Sequence, residues 1–120
     1  MEDLKKKIAK GFDLHKKGKI DESLKYYHQA LMIDDKNPQL LFLIGNAYLQ
    51  KNNLRDSIAF FKKTINLDRN NIGAYNNLGG ALQILKKYEK AIDIYKKLLL
   101  INPNFSDGYN NIGTCLVHLK

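Results

Sequence analysis

The sequence predicts an all-α solenoid built from antiparallel helix pairs, and three observations predict that class. Glycines stand at Gly11, Gly45, Gly79 and Gly113, each 34 residues after the one before. Four more columns keep the same register: aromatic Tyr27, Phe61 and Tyr95; small Ser23, Ser57 and Ala91; apolar Ile33, Leu67 and Ile101; and Leu14, Tyr48, Leu82 and Leu116. Within each period, apolar residues recur at helical steps in two separate segments, and no segment reads as a strand. A period of this size marks a repeat array, whose units bury their apolar faces only by stacking on neighbours.

The first helix of each unit rests on Leu78, Leu82 and Leu85, matched by Ile44 and Tyr48 one period earlier. Leu54, Ile58, Phe61 and Ile65 define a second helix, repeated as Tyr88, Ile92, Tyr95 and Leu99. Between the two lie Gly18, Asn52–Asn53 and Lys86–Lys87, short polar turns that force the helices antiparallel. Asn37 before Pro38 reads as an N-cap followed by proline at the first helical position. Asn102-Pro103 ends one unit before a further helix starts near Ser106. The single domain 1–120 therefore divides into repeats 4–37, 38–71 and 72–105, with a lone first helix over 106–120. A helix-interior glycine costs about 1 kcal/mol relative to alanine. The glycine column is expected to repay that through close approach of a second helix that is small at Ser23, Ser57 and Ala91.

The run AYNNLGGAL, the AxxxY spacing of Ala91 to Tyr95, and INPNF over Ile101–Phe105 closely resemble the tetratricopeptide repeat pattern. The resemblance covers Leu4 to Lys120. It implies a right-handed superhelix whose first helices line a concave groove. There are departures. The family's large aromatic near the start of each repeat is Tyr75 and Tyr109, but Leu41 and Lys7 stand there in the earlier units, and Lys10 replaces the leucine before Gly11. Both lysines suit a true end with no preceding repeat. Leu98, where Ala30 and Thr64 are small, suggests a slightly splayed third pair. The wording is also similar to the arrays of O-linked N-acetylglucosamine transferase-like proteins, in which asparagines hold an extended peptide; Asn77 and Asn111 fall in the matching column, Leu43 and Ala9 do not.

By the same resemblance, the groove holds Ile8, Ala9, Phe12 and His15, then Phe42, Leu43, Asn46 and Leu49, then Asn76, Asn77, Gly80 and Gln83, and finally Asn110, Asn111 and Thr114. Its N-terminal half offers apolar anchors and its C-terminal half amides, which both donate and accept hydrogen bonds. The candidate peptide-binding residues are Phe12, Phe42, Leu43, Asn46, Leu49, Asn76, Asn77, Gln83, Asn110 and Asn111. Packing between neighbouring first helices is the competing role, weighing more for Leu49 than for Phe42. A carboxylate-clamp subtype grips acidic chaperone tails with Lys, Arg and Asn. The corresponding positions here are Ile8, Phe12, Leu43, Gly73 and Asn77, of which only Asn77 suits that task.

The net charge of +8 comes mainly from lysines. Lys25, Lys62, Lys63, Lys96 and Lys97 read as a solvated outer face, with a denser cluster from Lys5 to Lys19. Nucleic acid is disfavoured as a partner, because only Arg55 and Arg69 are arginine and no aromatics interleave with the basic cluster. His15, His28 and His118 fit no catalytic motif. Cys115 and His118, one turn apart, lack further metal ligands. No enzyme activity, cofactor or metal is expected. A single cysteine, no apolar leader in MEDLKKKIAKGFDL, and LLFLIGNAYL as the longest apolar run favour a cytoplasmic chain without a transmembrane segment.

The last helix keeps the full first-helix pattern but no partner follows. Tyr109, Ile112, Leu116 and Leu119 are expected as an open apolar end and a candidate oligomer contact. The chain is expected to be a piece of a longer array, to pair with another copy, or to use this helix as its cap, in that order. The expected function is a protein-interaction scaffold that docks a peptide or helix in the groove. The alternatives are a substrate-recruiting or regulatory arm of a larger enzyme such as a glycosyltransferase, and a self-assembly module.

Overall fold

The computed structural model describes residues 2–120. Among them are seven helices and no strand: α1 (Glu2–Lys16), α2 (Ile20–Ile33), α3 (Pro38–Gln50), α4 (Leu54–Leu67), α5 (Ile72–Ile84), α6 (Tyr88–Ile101) and α7 (Ser106–His118). Each helix packs mainly on its sequence neighbours, and α1, α3 and α5 also touch in succession along one side. The described body measures 49 × 25 × 20 Å with a radius of gyration of 15.0 Å. A compact domain of this length would have about 14 Å, so the array is drawn out along its stacking axis.

Asparagine starts three of the helices. The Asn37 side chain accepts from the Leu40 N–H at 3.1 Å, with Pro38 at the first helical position as expected. Asn53 accepts from the Asp56 N–H at 3.3 Å while its amide donates to the Asp56 carboxylate at 2.8 Å. Asn71 accepts from the Ala74 N–H at 3.0 Å. Each satisfies one of the donors a helix leaves unpaired at its N-terminus.

The turns inside the pairs share one design. Gly18, Asn52 and Lys86 have φ of 80°, 63° and 61°, the left-handed region that stops a helix. Their amides donate to the carbonyls of His15, Leu49 and Gln83 at 3.0, 3.0 and 2.8 Å. The following amides, of Lys19, Asn53 and Lys87, reach back to Leu14, Tyr48 and Leu82 at 2.9, 2.8 and 2.9 Å. These are Schellman ends, closed on the main-chain carbonyls of Leu14, Tyr48 and Leu82. A β-carbon in this conformation is strained, so Lys86→Gly is expected to stabilise the fold by about 0.5–1 kcal/mol after the glycine entropy penalty. The urea midpoint measures it; a midpoint that stays or falls would contradict the assignment of strain to Lys86.

The core runs as two successive clusters. Leu4, Leu24, Tyr27, Ala30, Leu40, Ile44 and Ala47 form the first, and Phe61, Leu78, Leu82, Ala91, Ile92, Tyr95 and Cys115 the second. At the glycine column the second helix does approach closely, and its aromatic residue makes the tightest contact. The closest neighbour is the aromatic column: a β-carbon on Gly11, Gly45 or Gly79 would stand 2.6, 2.7 or 2.5 Å from the rings of Tyr27, Phe61 or Tyr95, with the Ser23 carbonyl next at 3.3 Å from Gly11. The small residues sit beside this contact, all fully buried. Ser23 donates to the Gly11 carbonyl at 2.7 Å, whereas the Ser57 hydroxyl has no partner. Leu98 is fully buried. No helix among the described residues is long and apolar enough to cross a membrane.

Candidate peptide-binding trough

Side chains from α3, α5 and α7 meet on one side of the stack, with Tyr95 of α6 beneath them. They enclose a depression of about 350 Å³ lined by Leu49, Asn76, Asn77, Gly80, Gln83, Ile84, Tyr95 and Asn111. No ionisable group other than the Tyr95 phenol lines it. Gly80 leaves open space where a side chain would point.

Its polar atoms are arranged as follows. The Asn77 amide donates to the Asn46 carbonyl oxygen at 2.7 Å, linking α5 to α3. The Tyr95 hydroxyl donates to the Gln83 side-chain oxygen. Burial, with a smaller contribution from Cys115, pushes the Tyr95 phenol up to about 12, so it stays a neutral donor. The Asn76 side-chain oxygen is buried and has no protein partner. An acceptor left in that state costs about 1–3 kcal/mol.

The structure brings five of the expected groove residues together at this depression: Leu49, Asn76, Asn77, Gln83 and Asn111. Asn46 adjoins it through Asn77. Asn110 is exposed and off the wall, its carbonyl accepting from the Thr114 hydroxyl at 3.1 Å. Phe12 lies away on α1, 43% exposed, with the Lys16 ammonium 5.0 Å from its ring centroid. Phe42 is half-buried. Its ring lies 6.0 Å from that of Phe61 and covers Gly73, where a β-carbon would meet it at 2.9 Å. Leu43 is half-buried against the first core cluster. Thus Phe42 and Leu43, each half-buried, pack between consecutive repeats.

Two lining residues were not singled out from sequence, Ile84 and the Tyr95 hydroxyl. A signal for the second was present. The column His15, Leu49 and Gln83 faces the column Tyr27, Phe61 and Tyr95. His15 lies 3.3 Å from the Tyr27 hydroxyl and Gln83 takes that of Tyr95; Leu49, without a hydrogen-bonding group, faces Phe61, which has none. Polar partners therefore occur only opposite a hydroxyl.

At the open end, Tyr109, Leu116 and Leu119 are 57%, 53% and 44% exposed and Ile112 is half-buried. Nothing lies within 4 Å of where a β-carbon on Gly113 would be. This is the slot that an aromatic fills in every complete pair. Cys115 is buried in the second core cluster, which raises its thiol. His118 stacks on Tyr88 with centroids 4.6 Å apart. No group of three metal-ligating side chains occurs among the described residues.

Helix pairs in 34-residue register around an open trough define an α-solenoid repeat domain. The family model for TPR repeats matches residues 11–52 and 45–85, and that for the tetratricopeptide repeat matches 72–105. The chain belongs to the tetratricopeptide repeat family. Among solved structures it is similar to the first TPR of Spaghetti (RPAP3) bound to the HSP90 peptide SRMEEVD, with TM-score 0.91, 25% identity, and coverage of 98% of this chain and 94% of that one. It is also similar to MamA, with TM-score 0.86, 27% identity, 91% of this chain and 64% of that one. The second TPR domain of human RPAP3, in complex with the HSP70 peptide SGPTIEEVD, shares the fold at TM-score 0.87 and 20% identity, covering 95% of each chain. No curated protein sequence matches the chain.

Proposed function

We propose that the chain is a protein-interaction scaffold that holds an extended peptide in the α3/α5/α7 trough by its main chain. The observation that carries this reading is the amide wall of Asn76, Asn77, Gln83 and Asn111, free of charged groups, with one buried acceptor unpaired. Amides match both peptide N–H and C=O groups. The similar RPAP3 domains hold peptides ending in EEVD. A ligand of that kind brings four negative charges in its side chains and terminus, and the trough walls here carry no lysine or arginine to meet them. Neutral main chain is the better match. In calorimetric titration, an uncharged, terminally blocked extended peptide is expected to bind at least as tightly as SRMEEVD. Asn77→Ala with Asn111→Ala is expected to weaken it about tenfold, the worth of one or two hydrogen bonds. Unchanged affinity in that variant, or clear preference for the acidic peptide, would remove the reading. The same trough serves a substrate-recruiting arm of a larger enzyme, a reading supported only by the resemblance to glycosyltransferase arrays and tested by the coding sequence beyond Lys120.

A second reading is self-assembly through the open end. It is favoured by the vacant Gly113 slot beside exposed Tyr109, Leu116 and Leu119, an apolar face of the kind that marks contacts. Sedimentation velocity is expected to show dimers that Leu116→Lys abolishes; a monomer at high concentration rejects this reading.

A further inference from the structure

Helix α5 packs against both α4 and α6, which make no substantial contact with each other, and the gap between them forms a groove. Two adjoining hollows of about 210 and 220 Å³ share Lys62, Ile94 and Lys97 and together run along this gap. Tyr75, Leu78 and Leu82 form the floor, and half-buried Ile65 and Ile94 form the walls. On α5 these floor residues lie on the helix face opposite Asn76, Asn77, Gly80 and Gln83, as the helical period requires. The groove is therefore separate from the trough. Its rim is basic: Lys62 from α4, Lys90 and Lys97 from α6, with Asp93 beside them. Among the described residues, none of the three lysines forms an ion pair.

We infer that this groove is a second docking surface, whose partner is an acidic peptide segment carrying apolar side chains. Charge and shape point to that occupant. Long lysine stems extend the apolar walls while their ammonium groups stay at the rim, so an apolar residue seats on the floor while flanking carboxylates meet three cations with no partners to surrender. The apolar surface is recessed, whereas insertion into a bilayer needs apolar groups that project. Tyr75 is only 6% exposed and its hydroxyl donates to the Arg69 carbonyl at 3.0 Å, so no aromatic face is offered for base stacking.

The test is fluorescence anisotropy with a labelled peptide that alternates aspartate with leucine and phenylalanine. Beside it run the same peptide with every aspartate changed to asparagine, phosphatidylserine vesicles, and a short single-stranded DNA. The expected result is saturable binding of the acidic peptide that weakens as salt rises and falls about tenfold or more in Lys62→Glu/Lys97→Glu, as charge reversal at a complementary rim requires. These lysines are exposed, so the variant is expected to keep its circular dichroism and melting curve. Asn77→Ala/Asn111→Ala is expected to leave this binding unchanged, which separates the groove from the trough. No binding, equal binding of the asparagine peptide, indifference to the lysine changes, or tighter binding of vesicles or DNA would each overturn the inference.

Discussion

Phe61→Ala is expected to lower the stability of the array by about 3–5 kcal/mol, the range for emptying a buried aromatic site. The ring has no exposed surface. It fills the slot above Gly45, belongs to the second core cluster, and lies 6.0 Å from Phe42, which in turn covers Gly73. One side chain thus ties α4 to α3 and, through Phe42, to α5. Domains are stable by only about 5–15 kcal/mol, so the variant is expected to stand near its unfolding threshold. In a solenoid, stability is a sum of repeat and interface terms. Weakening this joint is therefore expected to let the C-terminal pair open before the first, seen as a lower denaturant slope as well as a lower midpoint. A loss under about 1 kcal/mol with an unchanged slope would show that the ring is not the joint.

The architecture was readable from the sequence because a solenoid writes its geometry once per period. Columns at 34-residue spacing locate the helices, and Asn37-Pro38 locates a boundary to the residue. What the columns could not distinguish was why a residue is fixed. Asn53 and Asn71 cap helices, Asn77 spans α3 and α5, and Asn76 is left with an unpaired oxygen, yet all are asparagines near element starts or on the groove-facing side. First-helix position alone does not reveal that Phe42 lies against Gly73, thirty-one residues later. The pairing of hydroxyl and polar partner at Tyr27 and Tyr95 was legible, but only by comparing two columns against each other. The lysine-rimmed groove between α4 and α6 was not legible, since its floor and rim come from three helices and its lysines look like any solvated face.

The glycine column separates packing from propensity most sharply. Gly79→Ala is expected to destabilise the fold by about 1–3 kcal/mol, because overpacking against a locked ring outweighs the gain of about 1 kcal/mol in helix propensity. Tyr95 cannot retreat cheaply: it is 1% exposed, its hydroxyl is engaged by Gln83, and the added β-carbon would stand 2.5 Å from its ring. Gly113 holds the same column position with nothing within 4 Å. Gly113→Ala is accordingly expected to stabilise by about 1 kcal/mol through propensity alone. The same substitution at equivalent positions thus changes sign with the presence of a ring. A double-mutant cycle of Gly79→Ala with Tyr95→Leu supplies the coupling, expected at about 0.5–3 kcal/mol and favourable, since the smaller side chain vacates the clash. Urea unfolding of the four proteins measures it. Equal effects at Gly79 and Gly113, or no coupling to residue 95, would mean that the column is fixed by something other than the aromatic it faces, and the slot at the open end would lose its meaning as a place for a partner.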